Sequence, residues 1–286
     1  MGAPLDELID LLDLEKIEEN IFRGQQPDED RQRVFGGQVA GQALVAATRT
    51  VEPERQVHSL HAYFLRPGDP SIPILYDVDR IRDGRSFTTR RVVGIQHGKA
   101  IFNLAASFHT VEDGLDFSVD APPETPAPDT LPTFKERMAP FAEQMGDWYH
   151  RPRPIDMRYV DAPLPGSERP ATPQTTQRVW MRADGTLADD DPTLHACIVT
   201  YASDMTLLDT TLLPHHVRWT ENTIQMASLD HAMWFHRPFR ADEWLLYVQD
   251  TPSTSSSRGL ARGLIFDTNG NVVVSVMQEG LIRLVR

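Results

Sequence analysis

Ser59-Leu60-His61-Ala62-Tyr63-Phe64-Leu65-Arg66-Pro67 and Ser228-Leu229-Asp230-His231-Ala232-Met233-Trp234-Phe235-His236-Arg237-Pro238 are two versions of one stretch, and their likeness decides the fold. Arg66 and Arg237 are 171 positions apart. Further on, Gly84-Arg85-Ser86-Phe87 through Arg90-Arg91-Val92 is echoed by Ser256-Ser257-Arg258-Gly259 through Arg262-Gly263-Leu264, with Arg91 and Arg262 again 171 apart. Gly98 and Gly270 precede matching apolar runs at an offset of 172. A spacing that holds across three landmarks marks a duplicated unit of roughly 100 residues.

Each unit predicts one helix followed by an antiparallel sheet. In the first, Gly36-Gly37-Gln38-Val39-Ala40-Gly41-Gln42-Ala43-Leu44 puts Val39, Ala43, Leu44 and Ala47 at helical spacing, with small residues that let the helix sit close against a sheet. Strand-like runs follow near 57–64, 72–81, 86–95 and 99–109, joined by short turns at Arg66-Asp69, Arg82-Gly84 and Gln96-Gly98. The second unit predicts a helix over Asp204–Leu213 and strands near 224–235, 243–250, 258–267 and 271–283, with Thr268-Asn269-Gly270-Asn271 as a hairpin signal. This is an α+β pattern in which each sheet wraps its helix.

Between the units the composition changes. Twelve of the 22 prolines fall between Ala121 and Pro173, which excludes a continuous helix or a central strand there. A short helix between Pro132 and Met145 is compatible. The expected organisation is therefore 1–113 as the first unit, 114–173 as a Pro-rich connection, and 174–286 as the second unit. Leu5, Leu8, Ile9, Leu12 and Ile17 suggest a short amphipathic helix at the start.

Composition narrows the function. The 286 residues carry 28 basic and 41 acidic side chains, a net charge of -13, which argues against a nucleic-acid partner but not against a phosphorylated small molecule. The single cysteine, Cys197, forbids an internal disulfide and any Cys-based zinc cluster. No apolar run approaches the ~18 residues of a membrane span. The first residues lack a signal peptide's basic start and apolar core, Met1-Gly2 lacks a myristoylation context, and Leu284-Val285-Arg286 is not a peroxisomal address. A cytoplasmic protein is expected.

Glycine-rich phosphate loops, HExxH and GxSxG are all absent. Cys197 lies in an apolar run and reads as a small buried hydrophobe. His58 with His61, or His231 with His236, lack the third ligand a metal site needs, so no metal is expected. His215-His216 reads as cations near a helix end, and His109 in an HxxxDG pattern as a strand end. More informative is the difference between the units. Ser203-Asp204-Met205 stands against Phe35-Gly36-Gly37, Gln278 stands 171 beyond Ser107, and Ser228 is matched to Ser59. The second unit thus gathers an acid, an amide and a hydroxyl. Spacing alone leaves Asp204 equally readable as a helix N-cap or as chemistry.

Gly36-Gly37-Gln38, Val57 to Gly68, Tyr201-Ala202-Ser203-Asp204, Asp230 to Phe239 and Gln278-Glu279-Gly280 resemble the acyl-CoA thioesterase II family nearly end to end. The resemblance implies a double hotdog fold and hydrolysis of fatty acyl-CoA to fatty acid and CoA, without a cofactor. It places the family's catalytic acid, hydroxyl and amide on Asp204, Ser228 and Gln278, with Ser in place of the commoner Thr. It further implies a homo-oligomer. Asp204 is then the base that activates water, kept ionised by a helix start, while Ser228 and Gln278 orient the water. His58, Arg85 and Arg258 are the candidates for holding substrate. With three lysines against 25 arginines, cationic sites fall to Arg by default. The competing expectations are a non-catalytic acyl-CoA or acyl-carrier binding module and a hotdog enoyl-CoA hydratase, which would want an Asp–His pair.

Overall fold

The computed structural model describes residues 4–27, 32–161, 172–188, 190–215, 217 and 223–285. Met1-Gly2, Pro163, Pro165, Pro170, His216 and Arg286, which entered the readings above, lie outside them. The first half contains β1 (Glu15–Glu18), β2 (Ile21–Gly24), β3 (Arg55–Phe64), β4 (Ile74–Asp83), β5 (Phe87–Gln96) and β6 (Lys99–Thr110). The rest contains β7 (Ile155–Tyr159), β8 (Thr176–Ala183), β9 (Ile224–Ser228), β10 (Asp230–Phe235), β11 (Leu245–Ser255), β12 (Arg258–Phe266) and β13 (Val272–Leu284). All join one antiparallel sheet in the order β1-β2-β4-β5-β6-β3-β10-β13-β12-β11-β8-β7, with β9 also paired to β13. The eight runs expected from the repeat are strands. The edge strands β1, β2, β7 and β8 were not foreseen, and β7 falls within the Pro-rich connection.

The halves meet where β3 pairs with β10, and His61 stands opposite Ala232. Those two positions are themselves 171 apart, so the axis relating the halves passes between them. The expected strand 224–235 is interrupted at Leu229, while β3 is bulged at His58, between Val57 and Ser59. Leu229 lies 171 beyond His58, so the irregularity is part of the duplicated unit. A bulge at a fixed place re-aims the neighbouring side chains. One turn reading is corrected: β3 neighbours β6 and β10, not β4, so Arg66-Asp69 is a crossover and not a hairpin. By contrast Gln96 pairs with Lys99 across His97 and Gly98, whose φ of 49° and 68° suit the twist of a two-residue hairpin.

The helices are α1 (Pro4–Leu12), α2 (Gly36–Thr48), α3 (Phe134–Met138), α4 (Ala142–Met145), α5 (Asp147–His150) and α6 (Pro192–Ser203). The single helix allowed between Pro132 and Met145 is split into α3, a 3₁₀ turn through Pro140, and α4. The second unit's helix lies earlier than expected: α6 ends at Ser203, Asp204 is its C-cap, and 204–207 lead into a 3₁₀ helix over Leu208–His215. Asp204 is therefore no N-cap. The cap is Asp191, whose side chain accepts from the Thr193 N–H, with Pro192 at the first helical position.

The small residues of α2 meet the other helix as much as the sheet. A methyl at Gly37 would stand 2.3 Å from the Tyr201 carbonyl oxygen, and one at Gly41 3.3 Å from that of Cys197. Because position 41 meets 197 and position 37 meets 201, α2 and α6 run antiparallel. Ala43, Leu44, Leu60, Cys197 and Val273 are fully buried in the core between helices and sheet. Truncating Leu44 to Ala there costs roughly 2–5 kcal/mol. Among the described residues, no helix is long and apolar enough to cross a membrane.

Candidate active site

Antiparallel packing brings the end of α6 to the beginning of α2. The N-cap of α2 is Phe35, which offers no side-chain hydrogen bond, so the first N–H groups of the helix get no partner from their own cap. The Gly37 N–H donates to the Asp204 carboxylate. A methyl at Gly36 would stand 2.7 Å from Asp204 Oδ2, so only glycine admits the carboxylate this close. Ser228, at the end of β9, donates to Asp204 Oδ1 at 3.3 Å, and Gln278 Nε2, from β13, donates to the same oxygen at 2.5 Å. Two of the three residues singled out in the sequence, Ser228 and Gln278, thus converge on the third, Asp204.

Burial pushes the Asp204 carboxyl up to about 6, against the opposing pull of Gln278, Ser228, the Gly37 N–H and the charge of Arg33. The helix start that assists ionisation is that of α2, in the other half, and desolvation outweighs it. Asp204 is still largely ionised at pH 7, where a base near the working pH is most useful. Asp209, one turn on, is pushed up to about 7 by burial and by the charge of Asp204. Gln278 is fully buried and its Oε1 has no protein partner among the described residues, which leaves an acceptor beside the acid.

Asp204 and Ser228 open onto a cavity of about 650 Å³. Phe35, Val39, Phe64, Phe102, Tyr201 and Met205 supply an apolar wall, and Phe35 meets Tyr201 edge-on at 5.1 Å. Arg33, Arg66, Arg151 and Arg153 supply a cationic one. The size and mixed lining suit a small organic ligand with one greasy and one charged end.

None of His58, Arg85 and Arg258 lines this cavity. His58 Nε2 bonds to Ser107 Oγ at 2.8 Å in the first half, edge-on to Phe87. Arg85 sits in the β4–β5 turn, where its carbonyl accepts from Arg55. Arg258 pairs with Glu279 at 2.9 Å and lines a separate cavity of about 860 Å³. The matching of Ser228 to Ser59 is also corrected. The 171 offset sets Ser228 against Val57, while Ser59 pairs with Ser107 and answers Asp230. The hydroxyl belongs to the second half alone. Gly36, Gly37 and the four cavity arginines were missed; only Phe35-Gly36-Gly37, with no capping residue, signalled its role.

The profile of an acyl-CoA thioesterase family matches residues 148–281, and that of an acyl-CoA thioesterase N-terminal domain matches residues 26–109. The chain is 39% identical to acyl-coenzyme A thioesterase 8 of Mus musculus, covering 96% of this chain and 88% of that one. It is 37% identical to acyl-CoA thioesterase 2 of Haemophilus influenzae, covering 99% of each. An acyl-CoA thioesterase II, TesB2, from Mycobacterium marinum superposes with a TM-score of 0.79 at 46% identity, over 97% of this chain and 98% of that one. A hot dog fold protein from Alicyclobacillus acidocaldarius gives 0.76 at 18% identity over 98% and 99%, a likeness of fold. The architecture is accordingly a double hotdog, of the kind used by thioester hydrolases. The chain belongs to the acyl-CoA thioesterase family.

Proposed function

We propose that this enzyme hydrolyses fatty acyl-CoA to free fatty acid and CoA by direct attack of water, with Asp204 as the base. The observation that carries the reading is a carboxylate on the wall of a part-apolar, part-cationic cavity, held by Ser228, Gln278 and the Gly37 N–H. Water's oxygen bonds to the thioester carbonyl carbon while its proton passes to Asp204. Ser228, from the cavity wall, and Gln278, through the shared carboxylate oxygen, orient the attack. N–H groups at the start of α2 receive the developing oxyanion. The C–S bond then breaks, and the CoA thiolate takes up the proton. No strong acid is needed, because a thiolate leaves readily.

A hydratase would pair its acid with a histidine. The partners of Asp204 are instead an amide, a hydroxyl and a backbone N–H. The proposal treats 1–113 and 174–286 as the two hotdog units, with the catalytic residues in the second. Family resemblance extends it to a homo-oligomer, and action in the cytoplasm is proposed separately, from the sequence expectation above. The test is thiol release from a chain-length series of acyl-CoAs, expected to match fatty acid formed one for one. Tight binding without thiol release would mean a binding module. Loss of enoyl absorbance without free thiol would mean a hydratase.

A further inference from the structure

We infer that Gln177 and Gln249, acting on Thr206, are positioning residues for the base: they clamp the turn that carries Asp204 and so set where its carboxylate stands in the cavity. This rests on the reading of Asp204 as base given above and adds what aims it. The first observation is geometric. Asp204 sits on the short turn between α6 and the 3₁₀ helix over Leu208–His215. A base on such a turn is less precisely held than one on a helix unless something ties the turn down. Gln177 Nε2, from β8, donates to the Thr206 carbonyl at 3.1 Å, and Gln249 Nε2, from β11, donates to Thr206 Oγ1 at 2.6 Å. The two amides are joined, Gln177 Nε2 to Gln249 Oε1 at 2.5 Å, and Thr210 Oγ1 donates to that same oxygen at 3.0 Å. On the other side of Asp204, the Tyr247 hydroxyl donates to the Ser203 carbonyl at 3.4 Å. The backbone is thus held on both sides of the acid, while Ser228 and Gln278 hold its side chain.

The second observation is what the other half does in the same place. Gln177, Gln249, Thr206 and Thr210 are all buried. Matched apolar side chains fill such a space about as well as paired polar ones, so folding alone does not call for them. The first half bears this out. Val78 pairs with Val92 as Gln249 pairs with Gly263, each 171 positions apart, and Val78 is a buried apolar residue. Tyr76 stands at the place of Tyr247, but its hydroxyl donates to Gln42. The turn after α2 is held instead by Arg90, whose guanidinium donates to the Thr50 hydroxyl and carbonyl, both at 2.8 Å. Ala261 takes the place of Arg90 in the second half, directly across from Gln278. A guanidinium there would stand near the acid and hold its carboxyl down. Amides and hydroxyls fix the turn without adding a charge, and they occur in the half that carries the acid.

The test is steady-state acyl-CoA hydrolysis by the full chain carrying Thr206→Val, Thr206→Ser or Gln249→Met, with Thr206→Val also made on Asp204→Asn. Thr206→Val keeps the shape and removes the hydroxyl. Its kcat is expected to fall on the order of tenfold with KM changed less than about twofold, because a small displacement of the base acts on the rate. Gln249→Met should do the same, and Thr206→Ser, which restores the hydroxyl, should recover most of the loss. On Asp204→Asn, Thr206→Val should lower the residual rate less than about twofold, since the clamp acts through the carboxylate. Wild-type kcat in Thr206→Val and Gln249→Met would overturn the proposal. So would an equal tenfold loss on the Asp204→Asn background, which is what a merely structural role gives. If Gln249→Met fails to fold, the Thr206 variants decide alone. Full activity in Asp204→Asn would instead overturn the reading of Asp204 as base, and this proposal with it.

Discussion

The two halves share strand order, a bulge at the same repeat position and a central helix, yet their helix ends are finished in opposite ways. α6 is closed by its C-cap Asp204, and the helix start facing it, that of α2, has no side-chain cap of its own and opens with two glycines. α2 ends in Arg49, which is tied to the Leu14 carbonyl and to Asp13. The helix start on that side, that of α6, is sealed by the Asp191 side chain and by Pro192, which has no N–H to offer. The strand positions diverge in step: Val57 and Ser107 stand where the second half has Ser228 and Gln278. An antiparallel helix pair presents two start-to-end junctions. At one, a donor of the helix start is taken by the acid of the facing helix end; at the other, the helix start is capped by its own Asp191. On the proposed reading, a duplicated fold yields one site made by both halves, with the Gly37 N–H from the first and the acid from the second.

Asp204→Asn should break that asymmetry most severely. Loss of the base is expected to lower kcat for acyl-CoA hydrolysis by about 10²–10⁴-fold with circular dichroism unchanged. Gly36→Ala comes next. Its methyl would stand 2.7 Å from Asp204 Oδ2 and displace the carboxylate, for a loss on the order of 10²-fold in thiol release. Gln278→Ala and Ser228→Ala should each cost about 10–100-fold, as removal of a hydrogen bond to a charged group does. Ser107→Ala, the first-half counterpart of the former, should change the same rate less than about twofold. An equal loss in Ser107→Ala would mean that the first half also works.

The smallest effect concerns stability. Asp204 has a folded-state value of about 6, above the ordinary 3.8, so its ionisation opposes folding. That cost is absent below the unfolded value, grows as pH rises, and is complete above about 6. Asp204→Asn should therefore melt higher than wild type at pH 7.5, by roughly 2–4 °C per kcal/mol recovered, with the difference shrinking toward pH 4 in a thermal melt.

Much of this was legible in the sequence because β-strands announce themselves. The runs in 57–109 and 243–283 are rich in branched and aromatic residues, and their turns carry glycine. α6 was not legible as a helix because all residues from His195 to Ser203 are buried, leaving no polar face and hence no helical period. The usable signal was Asp191-Pro192, a cap followed by a proline. Misplacing α6 by about one helix length made Asp204 look like a start when it is an end. Asp204, Ser228 and Gln278 were found through family resemblance and the 171 offset. The arginines of the cavity were missed because Arg33, Arg151 and Arg153 lie outside the matched stretches, while Arg66, matched to Arg237, served only as a landmark of the repeat. Only folding brings 33, 66, 151 and 153 to one wall.

The pH dependence of kcat/KM for acyl-CoA hydrolysis, taken from pH 4.5 to 8, tests the central claim that the half-buried Asp204 is the base. The rate should be low at acid pH, rise with a midpoint near 6 as the carboxyl ionises, and level off above 7. A profile flat across that range, or one whose midpoint sits near an ordinary carboxylate value of about 4, would contradict it.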